Sequence, residues 1–384
     1  MGPRSEKSTM MNASIHQERT LAEVKRLSLA GFEGPKLLRQ AAERLKLAVP
    51  FEAYCASTVD PASNLITHSI AEGIGDEEER SEAGAVFFDR VYFEEDLDQI
   101  AAMLRDGRPV QLLSEATGGE LDHSLRYREL LRPLGFGNEL GSLFIEGSLW
   151  SGMDLIREAS GPEFSSEEVA LMKRVAPHVG AGLKAAALRS RATVEPAPDG
   201  TPGVLTLDPG GRVISHTHSA ERLLSEREGL GLAWRERHGL PVAVRMMAVA
   251  VRRSLAPRSD RDLDLIPRLR VRARSGRWLT LYGSITESAF GPPSETVVVI
   301  EHAKPEEVTW VNVAAYGLSP REEEVVKLVV RGLSTKQISQ TLFISGYTVQ
   351  RHLSNVFEKV GVRSRRALLK RLFFDDLLPG THGE

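Results

Sequence analysis

Apolar residues near the C-terminus recur at spacings of four, three and four positions, the period of one face of an α-helix. The pattern predicts a helix over residues 348–359 whose apolar stripe packs against other helices. Polar residues fall on its other faces, where Gln and Asn can bond adenine edges and Arg can bond guanine. The stripe consists of Val349, Leu353, Val356 and Val360, and the polar residues are Gln350, Arg351, Ser354, Asn355 and Glu358.

Two further helices are predicted just before this one, because a pair of capping residues precedes each of them. Ser319 and Glu322 form an S-x-x-E capping box, with Pro at the first helical position. Ser334 and Gln337 repeat the arrangement after Gly332, which ends the preceding helix. Helices joined by such tight turns are typical of a helix-turn-helix unit.

The first part of the chain shows both helical and strand patterns. A helical pattern over residues 15–47 is interrupted at the Gly-containing segment 31–34. Ser165 and Glu168 form another capping box, and Pro177 predicts a kink or break in the helix that follows. The other predicted elements are strands over residues 51–58, 65–70, 110–113, 140–146 and 149–157, a helix over 124–131 and a closing helix over 166–191.

A second set of strand patterns begins at residue 203. A turn at residues 209–211 separates two strands that we expect to pair, and a helix begins at Ser219. The predicted strands of this part cover residues 203–208, 212–216, 268–274, 278–286 and 295–301.

Two segments with linker-like composition divide the chain, at residues 192–203 and 303–316. The fold class that we predict is multidomain α+β, with two antiparallel-sheet domains followed by an all-α helix-turn-helix domain. The predicted boundaries are a flexible tail at 1–14, sheet domains at 15–191 and 203–303, and the helical domain at 315–374.

Charge distinguishes the C-terminal domain from the rest of the chain. Residues 316–373 contain eleven Lys and Arg but four Glu, a net charge of +7. The whole chain carries −3, so the remainder carries −10. We therefore expect the basic domain to bind the phosphates of double-stranded DNA, and the acidic remainder to be repelled by them.

Composition limits the cellular setting. The 384 residues include one cysteine, Cys55, which excludes an internal disulfide and a Cys-rich metal site. The apolar runs are too short to cross a bilayer, and the first residues lack the apolar core of a signal peptide. We expect a cytoplasmic protein with no membrane association.

Several reactive side chains lie outside the C-terminal domain. His216 and His218 share one face of a strand and could bind a metal, but no third ligand is evident, so polar strand-end residues are favoured. Cys55 could attach a chromophore, whereas a buried free thiol is the usual case in an apolar strand. We predict no catalytic residue, no metal and no cofactor, and no cofactor-binding residue is readable.

Two charged stretches have alternative interpretations. The acidic residues at 76–80 and 94–96 could mimic catalytic carboxylates, but no nucleophile or metal-ligand set accompanies them, so solvated loops are favoured. The arginines that alternate along a predicted strand could form a basic stripe against DNA, or the solvent face of that strand, which we favour. These are Arg268, Arg270, Arg272 and Arg274.

The stretch 317–371 resembles the LuxR/GerE-type helix-turn-helix of bacterial transcription factors, through its segments 318–322, 332–338, 344–353 and 359–365. The resemblance implies that the third helix enters the major groove and that the last helix, 365–373, pairs two copies. Gln350 departs from the Lys common in the family, which leaves the operator open. The predicted DNA contacts are Lys336 and Thr348 to phosphate, Gln350, Arg351 and Ser354 to bases, and Asn355 through its amide.

The two upstream domains resemble sensory domains. Helix, antiparallel sheet and closing helix in the first, with the segments 126–135 and 135–140, resemble a GAF domain. Two strands, short helices and three strands in the second, with the helix at 220–224, resemble a PAS domain. The GAF resemblance implies a small-molecule pocket over one face of the sheet, with no specific contacts.

These features predict a homodimeric transcription regulator that binds double-stranded DNA under the control of an unknown small-molecule effector, with RNA polymerase as a possible further partner. One alternative is a regulator driven by a protein partner, with both upstream domains acting as scaffolds. Others are a light or gas sensor and an enzyme fused to a DNA-binding tail, although residues 1–300 show no readable catalytic set. The effector, the operator and the direction of regulation are left open.

Overall fold

The computed structural model contains two five-stranded antiparallel sheets followed by a bundle of short helices. It describes residues 3–189, 200–225, 240–255, 267–273, 277–286, 295–304, 313 and 316–374. The two predicted linkers lie largely outside these residues, as does Arg274.

The first sheet has the strand order β2-β1-β5-β4-β3, and all neighbouring strands are antiparallel. Its strands match the five predicted ones, and β4 begins earlier than expected. They are β1 (Ala53–Asp60), β2 (Leu65–Glu72), β3 (Val110–Leu112), β4 (Phe136–Glu146) and β5 (Ser148–Glu158).

Helices cover both faces of this sheet. The helices of the first domain are α1 (Pro3–Leu29), α2 (Gly34–Leu45), α3 (Glu77–Val86), α4 (Leu97–Arg105), α5 (Leu113–Ala116) and α6 (Ser166–Arg189). α1, α2 and α6 share a buried core with one face, to which Tyr54 and Ala56 of β1 belong. Ala53 belongs to a second cluster on the other face, as the two-residue period of a strand requires.

The tail predicted at residues 1–14 is helical from Pro3 onward. Pro at the first helical position is compatible with a helix, and no further Pro or Gly interrupts the chain before Gly31. Of the kink or break predicted at Pro177, no break occurs, since α6 is continuous through this residue. The capping box of Ser165 and Glu168 is confirmed, since each side chain bonds the other's backbone N–H, at 3.3 and 2.7 Å.

The prediction of solvated loops around the two acidic stretches was wrong. α3, a π-helical stretch (Phe87–Asp96) and α4 follow one another from residue 77 to 105. Asp76 caps α3 by accepting the N–H groups of Glu78 and Glu79. The pattern was hard to recognise because a π-helix has i→i+5 bonds, so apolar positions lose the 3.6-residue period.

The second sheet has the order β7-β6-β10-β9-β8. If its strands are counted from one to five along the chain, this order is identical to that of the first sheet. The strands confirm the predicted ones. Its elements are β6 (Gly203–Leu207), β7 (Val213–His216), α7 (His218–Ser225), α8 (Val242–Leu255), β8 (Arg268–Arg272), β9 (Trp278–Ile285) and β10 (Thr296–His302).

The two sheet domains are packed together through α8, which the sequence analysis did not predict. Residues 243–251 of this helix are all buried. One side contacts β9 and β10 of its own domain, and the other contacts β2 and the π-helical stretch of the first domain. A helix that is apolar on every face is expected where both sides are covered.

An ion pair is buried in the same interface. Arg270 Nη1 lies 3.2 Å from Asp60 Oδ2, and the two side chains are 5% and 1% exposed. Arg272 bonds Glu33 of the first domain at 2.6 Å. The arginine face of β8 is therefore not the solvent face that the sequence favoured, because two of its cations pair with acids of the neighbouring domain.

The C-terminal bundle contains α9 (Pro320–Val330), α10 (Thr335–Thr341), α11 (Gly346–Val360) and α12 (Arg365–Leu369), extended by a π-helical turn (Lys370–Phe374). Both predicted capping boxes are confirmed, with Ser319 and Ser334 at the N-caps. The predicted stripe of α11 is buried in the core of the bundle.

Candidate DNA-binding surface and ligand cavity

α11 is well defined at both ends. Ser345 is its N-cap and accepts the N–H of Thr348 at 3.0 Å. Gly361 ends the helix in the left-handed region, with φ 72°, which glycine adopts without steric cost. The orientation of the helix is fixed by its buried stripe, so the opposite side faces solvent.

That solvent side carries a polar row at the same four, three, four spacing as the buried stripe. Arg351 and Ser354 lie in the middle of the row, and both are exposed. We call this set the α11 row; it consists of Tyr347, Arg351, Ser354 and Glu358.

The other predicted contact residues lie around the α11 row. Gln350 donates from Nε2 to Thr335 Oγ1 at 3.1 Å, so the start of α10, where Lys336 is exposed, lies beside the first turns of α11. Thr348 Oγ1 lies 2.8 Å from the hydroxyl of the N-cap Ser345. The structure thus brings Lys336, Thr348 and Gln350 to the same end of the helix pair as Arg351.

Asn355 lies on the side of α11 that faces α9, where its side chain hydrogen-bonds Glu322. Glu322 is nearly buried and also accepts Lys359 Nζ at 2.6 Å. Burial raises the pKa of Glu322, but the hydrogen bonds from Lys359, the Ser319 backbone and Asn355 outweigh it, and the pKa is lowered overall. Asn355 therefore has a nearly inaccessible carboxylate as its partner, whereas Gln350 and Thr348 bond hydroxyl groups.

The basic side chains of the bundle fall into two groups. Lys359, Arg321 and Arg365 are occupied: Lys359 bonds Glu322 and the Gly317 carbonyl, and the two arginines bond carbonyls of neighbouring turns. A second group is exposed, without an ion pair to any residue that the structure describes, and is therefore available to phosphates or bases. It includes Lys336, Arg351, Arg363 and Arg366.

Two exposed aromatic residues were missed by the sequence analysis. Tyr347 is 81% exposed at the start of the α11 row. Phe343 is 95% exposed in the turn before α11 and has φ 53°, an unusual value for a bulky residue. The helical spacing of Tyr347 from Arg351 and Ser354 was a usable signal for the first, whereas the position of Phe343 in a turn gave none.

A second candidate site lies in the first domain, on the face of the sheet opposite α1, α2 and α6. A cavity of about 100 Å³ lies between β1, β4, β5 and the helical layer that runs from residue 87 to 103. A single water needs roughly 10–15 Å³ by the same measure, so the space suits a small organic molecule. Gly141 and Gly152 line it on the sheet side, where the absence of side chains leaves room.

Arg126 is the centre of a charged cluster at one end of the cavity. Its Nε donates to both oxygens of Glu139 at 2.9 and 2.8 Å, Nη1 to Asp96 at 2.8 Å and Nη2 to Asp154 at 2.9 Å. Arg126, Glu139 and Asp96 are buried, whereas the Asp154 side chain is 30% exposed. Among the described residues, no group of three or more His, Cys, Asp or Glu is arranged to hold a metal ion.

The cluster has three carboxyl groups but only one guanidinium. The pKa values of all three carboxyl groups are raised. Burial raises the pKa of Asp96 to about 6 and that of Glu139 to about 8, although Arg126 acts in the opposite direction on both. Burial also raises the pKa of Asp154. The nearby Cys55 has its thiol pKa raised to about 12, again by burial, so it is a weak nucleophile at neutral pH.

The π-helical stretch that sequence analysis missed supplies one of the three carboxylates, Asp96. Asp96 ends the π-helical stretch, and Glu95 beside it accepts the Ser124 hydroxyl at 2.5 Å and the backbone N–H of Leu125. The helical layer is therefore fixed to the segment that carries Arg126. The cavity owes one wall to residues that the sequence placed in loops.

Comparisons with known proteins agree with the geometry of the C-terminal bundle. The family model for bacterial regulatory proteins of the luxR family matches residues 317–372. These residues form a LuxR-type helix-turn-helix domain. The predicted boundaries, 315–374, enclose the matched region closely.

The similar proteins match a short part of this chain. An HTH-type transcriptional regulator of Mycobacterium bovis is 50% identical over 52 residues, which are 14% of this chain and 6% of the relative. The spore germination protein GerE of Bacillus subtilis is 48% identical over 48 residues, 12% of this chain and 65% of the relative. The chain thus spans only a small part of the mycobacterial relative and less than two thirds of the Bacillus one.

A solved structure, the E. coli DhaR(N)-DhaL complex, aligns with 76% of this chain and 89% of its own, at 11% identity. The TM-score is 0.24, which is too low to indicate a shared fold. No helix among the described residues is long and apolar enough to span a membrane.

The LuxR-type domain contacts the first domain at its first residue. Gly317 packs against Gly147, the turn residue between β4 and β5. The Gly317 carbonyl also accepts Lys359 Nζ from α11 at 3.0 Å. The hairpin that lines the cavity is therefore in direct contact with the domain that carries the α11 row.

Proposed function

We propose that this chain is a homodimeric transcription regulator whose LuxR-type domain recognises double-stranded DNA with the α11 row. The observation that carries the proposal is Arg351, an exposed cation in the middle of that row with no ion-pair partner among the described residues. The net charge of +7 on residues 316–373 supports attraction to phosphates.

The contacts divide between the two helices. Arg351, Gln350 and Ser354 face the base edges, where Arg prefers guanine and Gln prefers adenine. Lys336 and Thr348 contact phosphate. Asn355 is a weaker candidate, because its side chain must leave Glu322 to reach a base.

The two upstream domains act as sensory domains, GAF-like and PAS-like in kind. Their identical strand order and the cavity over one face of the first sheet support this assignment. A small-molecule effector occupies the cavity, and it regulates by favouring one arrangement of the DNA-binding domains over another. The cavity favours this function over a purely scaffolding role.

The geometry of double-stranded DNA supports a dimer with two copies of α11. Half-sites about one helical turn apart require two copies of α11, and α12 with its extension is the proposed pairing element. RNA polymerase is a further proposed partner at the promoter. A protein with this activity works in the cytoplasm and needs no catalytic step.

A selection experiment on random DNA tests the reading face. The full chain with Arg351→Ala is expected to lose about 1–3 kcal/mol on its preferred site and to relax its preference at one base pair. Arg212→Ala, an exposed arginine on the turn before β7, is the matched control and should behave like the wild type. Unchanged selectivity in Arg351→Ala would contradict the assigned face.

Native mass spectrometry of the purified chain tests the sensory role. A small molecule that co-purifies with the wild type, and is lost when Gly152→Val fills the cavity, supports ligand control. A tightly bound protein in place of a small molecule would favour the partner-driven alternative.

A further inference from the structure

The residues that line the cavity of the first domain indicate the chemical class of its ligand. This inference rests on the proposed sensory function. Its polar end holds three carboxylates, Asp96, Glu139 and Asp154, around the single guanidinium of Arg126. The carboxyl groups outnumber the guanidinium by three to one, so this end of the cavity is negative whenever more than one carboxyl group is ionised. An electrostatic site of this sign attracts cations.

Arg126 does not offer a site for an anion. Each of its three nitrogens already donates to a carboxylate, at 2.8–2.9 Å. The side chain is 4% exposed. Each Nη keeps a second N–H, but an anion that accepted it would lie beside three carboxylates, whose charge repels it.

The carboxylates, in contrast, have unused acceptor capacity. Asp96 uses Oδ2 for Arg126, while its Oδ1 is buried and has no hydrogen-bond partner among the residues described here. Asp96 is only 8% exposed, so this oxygen lacks bulk water as well. An unsatisfied buried acceptor is unfavourable, and a ligand that donates a hydrogen bond removes the cost.

The remainder of the cavity is apolar. Phe87, Ile100 and Met103 line it from the helical layer, and Leu143 and Leu149 from the sheet. A ligand that fits must combine a compact donor group at one end with a hydrocarbon or aromatic part at the other, which is the usual composition of a small-molecule pocket.

We propose that the cavity binds a small organic cation. Its ammonium or amidinium group contacts the carboxylates of Asp96 and Asp154, and its apolar part lies against Phe87, Ile100 and Leu143. Asp154 is the entry-side partner, because its side chain is the most exposed of the three carboxylates.

Binding of such a cation has a second consequence. The raised pKa values of Asp96 and Glu139 mean that the cluster retains protons that isolated carboxyls would lose at the same pH. A second positive charge beside Arg126 stabilises the ionised forms. Proton release should therefore accompany binding, from the cluster of Asp96, Glu139 and Asp154.

Three probes of similar size but different charge test the proposal on the full chain: benzylammonium, benzyl alcohol and benzoate. Titration calorimetry and thermal shift at millimolar concentrations should show benzylammonium binding roughly tenfold or more tightly than the other two. Calorimetry in two buffers of different ionisation enthalpy should show protons released on binding of benzylammonium.

Two variants locate the site. Asp154→Asn keeps the shape of the side chain but removes one charge. It should lower the affinity for benzylammonium by roughly tenfold. Gly152→Val should abolish binding, because a Cβ at this position has only ordinary contacts and a larger side chain extends into the cavity. Asp122→Asn, an exposed acid that pairs with Arg132, is the matched control and should bind like the wild type.

Several outcomes overturn the proposal: benzoate or benzyl alcohol binding as well as benzylammonium, benzylammonium binding to Gly152→Val with undiminished affinity, or none of the probes binding. If the cavity prefers a neutral or anionic probe, the proposed cationic ligand is wrong, but ligand control of the regulator is not refuted. Failure of the wild type to bind any DNA sinks the proposed function, whatever the cavity binds.

Discussion

Gly147 and Gly317 are packed backbone to backbone. A Cβ on Gly147 would lie 2.4 Å from the Gly317 Cα, and a Cβ on Gly317 would lie 2.6 Å from the Gly147 Cα. Both residues have positive φ, 77° and 63°. This contact joins the β4–β5 hairpin, which lines the cavity, to the first residue of the LuxR-type domain, so a change in the hairpin has a direct physical route to the DNA-binding surface.

Gly147→Ala should separate the hairpin from the LuxR-type domain. The new methyl group meets backbone, which cannot rotate away, so one of the two segments must move. Hydrogen exchange should become faster at Gly317 and in the first turn of α9. Gly135→Ala is the matched control, since Gly135 has φ 79° but no neighbour within 4 Å of its Cβ position. Equal exchange in the two variants would show that backbone strain alone is responsible.

Arg270→Met should destabilise the interface between the two sheet domains by about 3–5 kcal/mol, because it leaves the buried carboxylate of Asp60 without its partner. Adding Asp60→Asn should recover part of the loss. Arg39→Met is the control, since the Arg39–Glu72 pair is about half exposed and such pairs contribute about 0–1 kcal/mol. Denaturant unfolding measures all of these differences, and similar losses for the two arginines would refute the interpretation.

Glu322→Gln should make the stability of the LuxR-type domain depend less on pH in the acidic range. The folded-state pKa of Glu322 is below its ordinary value of 4.5, so its contribution is present above that pH and is lost as the pH falls through the lowered value. Gln still accepts the Ser319 N–H in the capping box, so the variant isolates the charge. Melting curves from neutral pH to below pH 4.5 provide the measurement, and parallel profiles for variant and wild type would count against it.

Lys336→Ala should weaken DNA binding equally on all sequences and reduce the slope of log affinity against log salt by about one, as expected for one lost phosphate contact. Lys359→Ala offers a contrast within the same domain. Its ammonium is bonded to Glu322 and to the Gly317 carbonyl, so its loss should lower the melting temperature and leave the salt slope unchanged. A reversed pattern would mean that the two lysines have been assigned the wrong roles.

Tyr347→Ala should reduce DNA affinity, because Tyr347 is exposed at the first position of the α11 row. Tyr347→Phe distinguishes the two ways in which the side chain can act: retained affinity indicates contact by the ring, and lost affinity indicates a hydrogen bond from the hydroxyl. Fluorescence anisotropy on a selected site gives both values. If Tyr347→Ala binds like the wild type, the row begins at Arg351.

The elements that the sequence predicted well are those specified by neighbouring residues. α11 was expected over residues 348–359 and extends over Gly346–Val360. Its stripe, its N-terminal neighbours and the capping boxes depend on groups three or four positions apart, so they are readable without knowledge of the fold. The strands of both sheets were predicted for a similar reason, since alternation and turns are local signals.

The wrong predictions that bear on the candidate sites concern charges. Glu95 and Asp96 were placed in a solvated loop, and Arg270 on a solvent face. Asp96 and Arg270 are buried and Glu95 is partly buried, because a partner from a distant part of the chain satisfies each of them: Ser124 and Arg126 for the acids, and Asp60 for the arginine. The sequence shows that a residue is charged, but it does not show whether a counter-charge will be beside it.

The sequence by itself determined the strands, the capped helices of the C-terminal bundle and the basic charge of that domain, because periodicity, capping and charge are properties of short segments. The tertiary structure alone decided the cavity, the Arg126 cluster and the contact of Gly147 with Gly317. These features unite residues far apart in the chain, and their positions follow from how the sheets and helices bury their apolar faces together.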